Sequence, residues 1–393
     1  MVNKYVLLFI CLSVVILLTG CWDEVNIEDR GFIVGSAIDL AESHDPDDPK
    51  VTVTNQFVLP SKLGGPSEMG GEGKAFSNLS VSGGSIFAIV REMATLTSKM
   101  PYFEHLKVIV VSEEVAREPN LFSSLMDFYN RDHEMRREIR VLISEGKASE
   151  ILEMDPANED IPALHINDVI ENKDQNLETL EPVRIGDIHE FLLDESSYII
   201  PRVFPSHGRV HYRGAGVFYG HDDSLAGILD QVEAAGLNLI KGEKNGGTIT
   251  FEIDERLMTF EIEEMKSNTE IDTKDPENIA IDITVEAEGI ISEMFGDRSL
   301  LQADYMSEIE AHVEHKMEQL INAVLEKGQH ELGIDFFDFH LMLKQNHYKT
   351  WKQIEDNWEG EDNIFAQSNI NVSTDVTIRS TGAGDRTKDR GNE

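Results

Sequence analysis

Cysteine is nearly absent from this 393-residue chain, which has only Cys11 and Cys21. So few thiols exclude a disulfide-stapled scaffold and a multi-cysteine zinc site. Stability must come from ordinary cores, which a 40% hydrophobic composition can supply. Basic residues are scarce too. Lys and Arg number 34 against 73 Asp and Glu, a formal net charge of −39. Such a chain is a poor partner for nucleic acid, whose binding rests on neutralised phosphates. The same deficit argues against electrostatic adhesion to an anionic membrane. The acids are spread along the chain rather than gathered in a tail, which suits a salty surrounding where self-repulsion is screened. No Asp-x-Asp-x-Asp-Gly calcium loop accompanies them, and no Gly-x-Ser-x-Gly elbow occurs. The glycine-rich stretch GGEGKA at 70–75 has Glu68 where a phosphate loop needs its first glycine, and Ala75 where it needs Ser or Thr.

What is present begins at the N-terminus. Lys4 precedes an apolar run from Val6 to Leu18, shorter than the ~20 residues a spanning helix needs. One positive charge, a short apolar core and small residues at a cut point are the parts of a secretory signal. The cut point reads Leu18-Thr19-Gly20-Cys21 and resembles the lipobox of bacterial lipoproteins. In that reading residues 1–20 are a signal peptide, Cys21 carries a diacylglyceryl group, and no cysteine remains for other chemistry. Two acyl chains suffice for stable anchoring where one is marginal. The protein is then expected outside the cytoplasm, tethered to a membrane without spanning it.

The mature length suits two or three domains. Strands are expected at Gly31–Leu40, Val51–Leu59, Leu106–Val111 and Arg140–Ile143, with helices at Ser85–Thr97, Ser112–Ala116 and Leu121–Tyr129. Their alternation gives an N-terminal α/β domain over 21–154. Residues 155–205 are acidic and less regular and read as a middle connecting subdomain, with a helix at Ile185–Leu193. Pro201, Pro205 and Gly208 mark a break there. A C-terminal α+β domain follows over 206–380, with strands near Arg213–Tyr219, Thr248–Ile253, Leu257–Glu263, Ile279–Ala287 and Val372–Ile378. Its longest helix spans Ser299–Lys327, opened by a Ser299/Gln302 capping pattern and ended by Gly328, with Ile309, Val313, Met317, Leu320 and Val324 on one stripe. Another helix is expected at Phe336–Leu343. The polar tail 381–393 reads as disordered. The fold class is α+β, about three mixed domains with mainly antiparallel sheets.

Candidate chemistry is thin. His312 and His315, with Glu308, share one face of the long helix, but the spacing is not His-Glu-x-x-His, and a solvated face explains it. His207 and His211 form a second pair in a strand or turn. Neither pair is assigned a metal, and no cofactor or catalytic residue is expected.

The stretch GCWDEVNIEDRGFIVGSAIDL, through Cys21-Trp22-Asp23 and Asp39, resembles the mature start of Ger(x)C proteins, the lipoprotein C subunits of spore germinant receptors. YFEHLKVIVVSEEVA matches through His105, Leu106 and Lys107. DFYNRDHEMRREIRVLISEGKASEIL resembles the family's Arg-Asp-x-Glu-x-Arg helix, through Arg131, Asp132, Glu134 and Arg136. Further on, Glu233 and Gly236 sit in a similar strand-turn-helix, and Gly333, Asp335, Trp351 and Trp358 in a similar closing segment. Phe337 and Asp338 stand where a glycine-rich step is expected, and Ile161–Thr179 looks like an insert. The resemblance implies a non-enzymatic, lipid-anchored α+β protein on the outer face of the inner spore membrane. It would act with two integral-membrane partners, the A and B subunits, in sensing nutrients. Two other classes compete: an extracytoplasmic solute-binding lipoprotein of a transporter, and an envelope hydrolase built on His312 or His315.

Overall fold

The computed structural model describes Lys4 and residues 29–42, 50–62, 73–156, 159–242, 244, 246–276, 278–294, 300 and 302–380. Of residues 1–20, expected as a signal peptide, only Lys4 is described; Cys21, Trp22, Asp23, most of the glycine-rich loop, Ser299 and the tail 381–393 lie outside the described residues.

A large mixed sheet is built around β1 (Arg30–Leu40), which pairs antiparallel with β2 (Val51–Val58), itself paired with the edge strand β3 (Phe76–Gly83). On its other side β1 runs parallel to β5 (Val108–Ser112), after the short β4 (Met100–Tyr102) has paired with its first residues. Parallel pairing continues through β6 (Arg140–Ser144), which also carries the two-residue β7 (Val183–Arg184), to β8 (Tyr198–Ser206). The antiparallel strands β9 (Arg209–Tyr219) and β10 (Ser224–Leu229) close the order β10-β9-β8-β6-β5-β1-β2-β3.

Strand β5 is buried along its whole length and apolar from Val108 to Val111, because both faces are covered. Ile109 and Val111 pack with α1 (Ile86–Leu96), α3 (Leu121–Arg131) and α6 (Ile185–Asp194), while α2 (Glu113–Arg117) follows β5 directly. Val108 and Val110 face the opposite layer, α4 (Ala148–Ile151) and α5 (Pro162–Glu171). The last residues of β1 also hold α4, since the Asp39 carboxylate accepts from the N–H groups of Ala148 (2.6 Å) and Ser149 (3.0 Å). That satisfies donors a helix start leaves open.

Residues 155–205, expected as a connecting subdomain, contribute α5, β7, α6 and β8 to this sheet and its covering layers. Helix α5 falls within the stretch read as an insert; Pro162 starts it, and Ala163, Ile166 and Ile170 are its buried stripe. Both prolines read as a break lie inside β8, Pro201 at a register shift that precedes Val203, as bulges permit, and Pro205 opposite Val210 near the strand's end. His207 and Gly208, both at positive φ, turn β8 into β9. The sheet thus runs past the expected boundary at 205–206. The Arg-Asp-x-Glu-x-Arg segment is helical only to Arg131. Asp132 ends the helix, and the Glu134 carboxylate instead accepts from the Phe103 N–H at 3.1 Å.

The C-terminal half holds a second sheet, β11 (Thr248–Ile253), β12 (Arg256–Asp272), β13 (Ala280–Met294) and β14 (Asn369–Ser380), antiparallel except for β13–β14. Alternation gives one buried face, with Ile249, Phe251, Met258 and Phe260, and one wet face. Helices α7 (Gln231–Lys241) and α8 (Ala303–Glu326) form the core with that face. Helix α7 opens with a reciprocal Asp230/Glu233 capping box. Gln302, not Ser299, stands at the N-cap of α8, and the five expected stripe residues are buried. The chain does not stop at Gly328. It continues as a π-helical turn over Lys327–Leu332 and ends at Gly333 (φ +67°), where a left-handed residue is needed. Gly328 serves packing instead, lying under the Phe336 and Phe337 rings.

The halves are clipped together at residues 173–181. Lys244, almost wholly buried, donates to the carbonyls of Asn176 and Thr179 and to the Thr179 hydroxyl, and Asn238 Nδ2 donates to the carbonyl oxygens of Leu177 (2.6 Å) and Thr179 (2.8 Å). Burial pulls the Lys244 ammonium down to about 8.

Candidate functional site

The densest buried polar cluster follows the π-helical turn. Asp335, wholly buried, lies in the apolar run IDFFDFH just before α9 (Phe339–Asn346). Its carboxylate accepts from the N–H groups of Phe337 (3.1 Å), Phe339 (3.3 Å) and His340 (2.8 Å), capping α9 from inside, and from the Trp358 indole at 2.9 Å. His340 Nδ1 stands 3.3 Å from the same carboxylate. Glu359 accepts from the Asp335 N–H at 2.5 Å with one oxygen and from the Ser197 hydroxyl at 2.6 Å with the other. Ser197 immediately precedes β8, so the cluster ties the large sheet to the C-terminal helices.

A cleft of about 470 Å³ opens beside it. Asp194, Glu195, Glu355, Asp356 and Glu359 supply five acids to its wall, with Trp351, Trp358 and Tyr219 as aromatic surface. Lys344 from α9 pairs with Asp194, and α10 (Tyr348–Ile354) carries Trp351. Asp338, where a glycine was expected, itself takes the left-handed backbone (φ +70°), and its carboxylate lies 2.8 Å from Lys241 Nζ. Aspartate tolerates that region better than most residues, so the step survives without glycine.

The electrostatics follow from burial and pairing. Burial pushes the Glu359 carboxyl up to about 7; the Ser197 hydroxyl opposes this and the Asp335 charge adds to it. Burial works against a charged His340, yet the hydrogen bond and charge of Asp335 raise its pKa. Burial would likewise raise Asp335, but His340, Trp358 and the backbone donors hold it low. The cluster is therefore a proton-sensitive lock. Donors engage every oxygen of Asp335 and Glu359, whereas His340 Nε2 is buried with no hydrogen-bond partner among the described residues.

A pH effect follows. Glu359 binds its proton more tightly folded than unfolded, so it favours the folded state below its unfolded value of 4.5, and this is lost as pH rises through about 7. His340 acts in the same direction at higher pH, while Asp335 opposes only under strong acid. Over that span Glu359 accounts for roughly 3 kcal/mol. Glu359→Gln keeps the acceptor for Asp335 and removes the charge. Its urea midpoint is expected to exceed that of the parent at pH 8 and to approach it at pH 5; parallel curves would refute the shift.

The histidines expected as candidates are dispersed. His312 and His315 are exposed on α8; His312 Nδ1 stands 2.8 Å from the Glu308 carbonyl and His315 Nε2 2.9 Å from Gln319 Nε2. His207 contacts Ser206 in the hairpin, and His211 stacks on Phe204. Among the described residues no group of three or more His, Cys, Asp or Glu is placed to hold a metal ion. Sequence reasoning named Asp335, Trp351 and Trp358 but missed His340, Glu359 and Ser197. An acid inside an aromatic run was a usable signal; Ser197, 162 residues from Glu359, left none.

Among the described residues no helix is long and apolar enough to cross a membrane. The family model described as spore germination protein N-terminal domain matches residues 23–204, and the one described as spore germination B3/GerAC like, C-terminal, matches 213–382. Spore germination protein YndF of Bacillus subtilis (strain 168) is 28% identical over 395 residues, covering 96% of each chain. Spore germination protein A3 of the same organism is 27% identical, covering 95% of this chain and 96% of its own. Spore germination protein B3, also from that organism, is 26% identical, covering 97% of this chain and 98% of its own. The crystal structure of the GerBC protein covers 88% of this chain and 97% of its own with a TM-score of 0.61 at 21% identity, which shows a common fold. With the two family models matching 23–204 and 213–382 and this shared architecture, the chain belongs to the Ger(x)C family of spore germination proteins.

Proposed function

We propose that this protein is the non-catalytic C subunit of a nutrient germinant receptor. A diacylglyceryl group on Cys21 holds it at the outer face of the inner spore membrane, where it acts with two integral-membrane subunits, A and B, to trigger germination. The observation that carries the reading is the placement of the family match. It begins at residue 23, directly after the Leu18-Thr19-Gly20-Cys21 pattern, and extends to residue 382. A transporter's solute-binding lipoprotein would have two α/β lobes around a hinged cleft, whereas the smaller sheet here forms a core with helices on only one face.

Changing Cys21 to Ala tests this. The domain should fold as before, leave the membrane fraction and lose the germination response to particular nutrients, while vegetative growth stays normal. Membrane retention without lipid, or a full response to every nutrient in a deletion strain, would defeat the reading.

A further inference from the structure

The net charge of −39 describes the chain as a whole, and one corner of the large sheet departs from it. A groove of about 840 Å³ is bounded by the first residues of β1, the end of β2, the start of β3 and the turn from α1 to β4. Its apolar wall includes Phe57, Leu59, Leu79 and Leu96, with Arg30 and Lys99 beside them, and no acid among its lining residues. The cleft near His340, by contrast, has five. Two of the largest exposed apolar side chains flank the groove, Leu96 at 60% and Met100 at 58%.

This corner is also where the chain arrives from its anchor. Met100 is the direct register partner of Arg30. Eight residues, Trp22 to Asp29, lie between Cys21 and Arg30, and the nine extended steps from one to the other span at most about 32 Å. An anchored Cys21 therefore keeps Arg30, and Met100 with it, within that distance of the bilayer, whereas the opposite strand ends, including the β8–β9 turn, can lie farther away.

We propose that the Arg30–Leu96–Lys99–Met100 corner rests on the lipid surface. Anionic headgroups meet Arg30 and Lys99, and Leu96 and Met100 enter the interfacial layer. Locally this reverses the repulsion expected from the overall charge, because screening confines each charge's influence to about a Debye length. The proposal rests on the lipidation of Cys21. It fixes how the body is oriented, with the acid-lined cleft belonging to a different part of the molecule.

Single cysteines in the full lipidated chain test it, since the acylated Cys21 leaves the introduced thiol as the one available to label. Leu96→Cys, Met100→Cys and, at the opposite strand ends, Arg209→Cys would carry an environment-sensitive dye in vesicles of mixed neutral and anionic lipid. Quenching by lipid-borne quenchers is expected to be several-fold stronger at 96 and 100 than at 209. Equal quenching at all three, or none at 96 and 100 in a chain that floats with the vesicles, overturns the docking face and leaves the anchor standing. Failure to float overturns both. Protection of 96 and 100 from quenchers and from water alike, by the segment Trp22–Asp29 or by a protein partner, also overturns it.

Discussion

Asp335→Ala should lower stability more than any other single carboxylate change in the protein, by about 4–5 kcal/mol. The carboxylate is wholly buried and accepts from three backbone N–H groups and the Trp358 indole, with His340 alongside. Alanine leaves all of these donors without acceptors in a dry site, and the penalty of an unmade buried hydrogen bond exceeds the net gain of a made one. Asp356→Ala, on the exposed rim of the same cleft, should stay within about 0.5 kcal/mol of the parent. Urea midpoints read both. Equal shifts for the two variants would mean that Asp335 does not organise the C-terminal helices.

Gly236→Ala sets two effects against each other. Helix propensity alone favours alanine over glycine by about 1 kcal/mol. A Cβ at 236, however, would sit 2.6 Å from the Leu320 carbonyl carbon and 3.0 Å from Val324 Cγ1. The obstacle is the backbone of α8, which cannot swing aside as a side chain can, so the two helices must separate over the core they share with the second sheet. A net loss of about 2–4 kcal/mol is expected. Val232→Ala, on the exposed side of α7, should change little. A stabilised Gly236→Ala would show that α7 and α8 are not in backbone contact.

These two positions show what the sequence could and could not convey. Gly236 and Asp335 were visible as places in a resemblance, but their jobs were not, because each depends on a distant partner: the α8 backbone for one, the start of α9 and Trp358 for the other. Elements with a strong one-sided or wholly apolar pattern were legible almost to the residue. Strands β1 and β5, helices α1 and α3 and the stripe of α8 are examples. Strand β12 was read only in part, since beyond Met265 neither face is fully buried and alternation carries no signal. Edge strand β3, rich in Ser, was missed; it holds its place through backbone pairing and hydroxyl pairs such as Thr54–Ser80 at 2.8 Å. Helix α5 was hidden by the acidic residues around it. The prolines of β8 misled because a bulge accommodates Pro201 and Pro205 lies near the strand's end.

The acid-lined cleft was the least legible feature. Its wall draws on loops near residues 194–197 and 219–221 and on segments between 340 and 360, and no local pattern joins them. Abundant acids hid it further, since in a chain with 73 of them one more carboxylate is no signal. Only burial distinguishes Glu359 from its neighbours, and burial appears only once the sheet and the helices are packed.

The tethered-subunit account stands or falls on the chemistry of one thiol. Mass spectrometry of the N-terminal peptide from the membrane-bound protein measures it directly. The account predicts a chain beginning at Cys21 with a diacylglyceryl thioether on its sulfur. An unmodified thiol at that position, in protein recovered from the aqueous fraction, would contradict it.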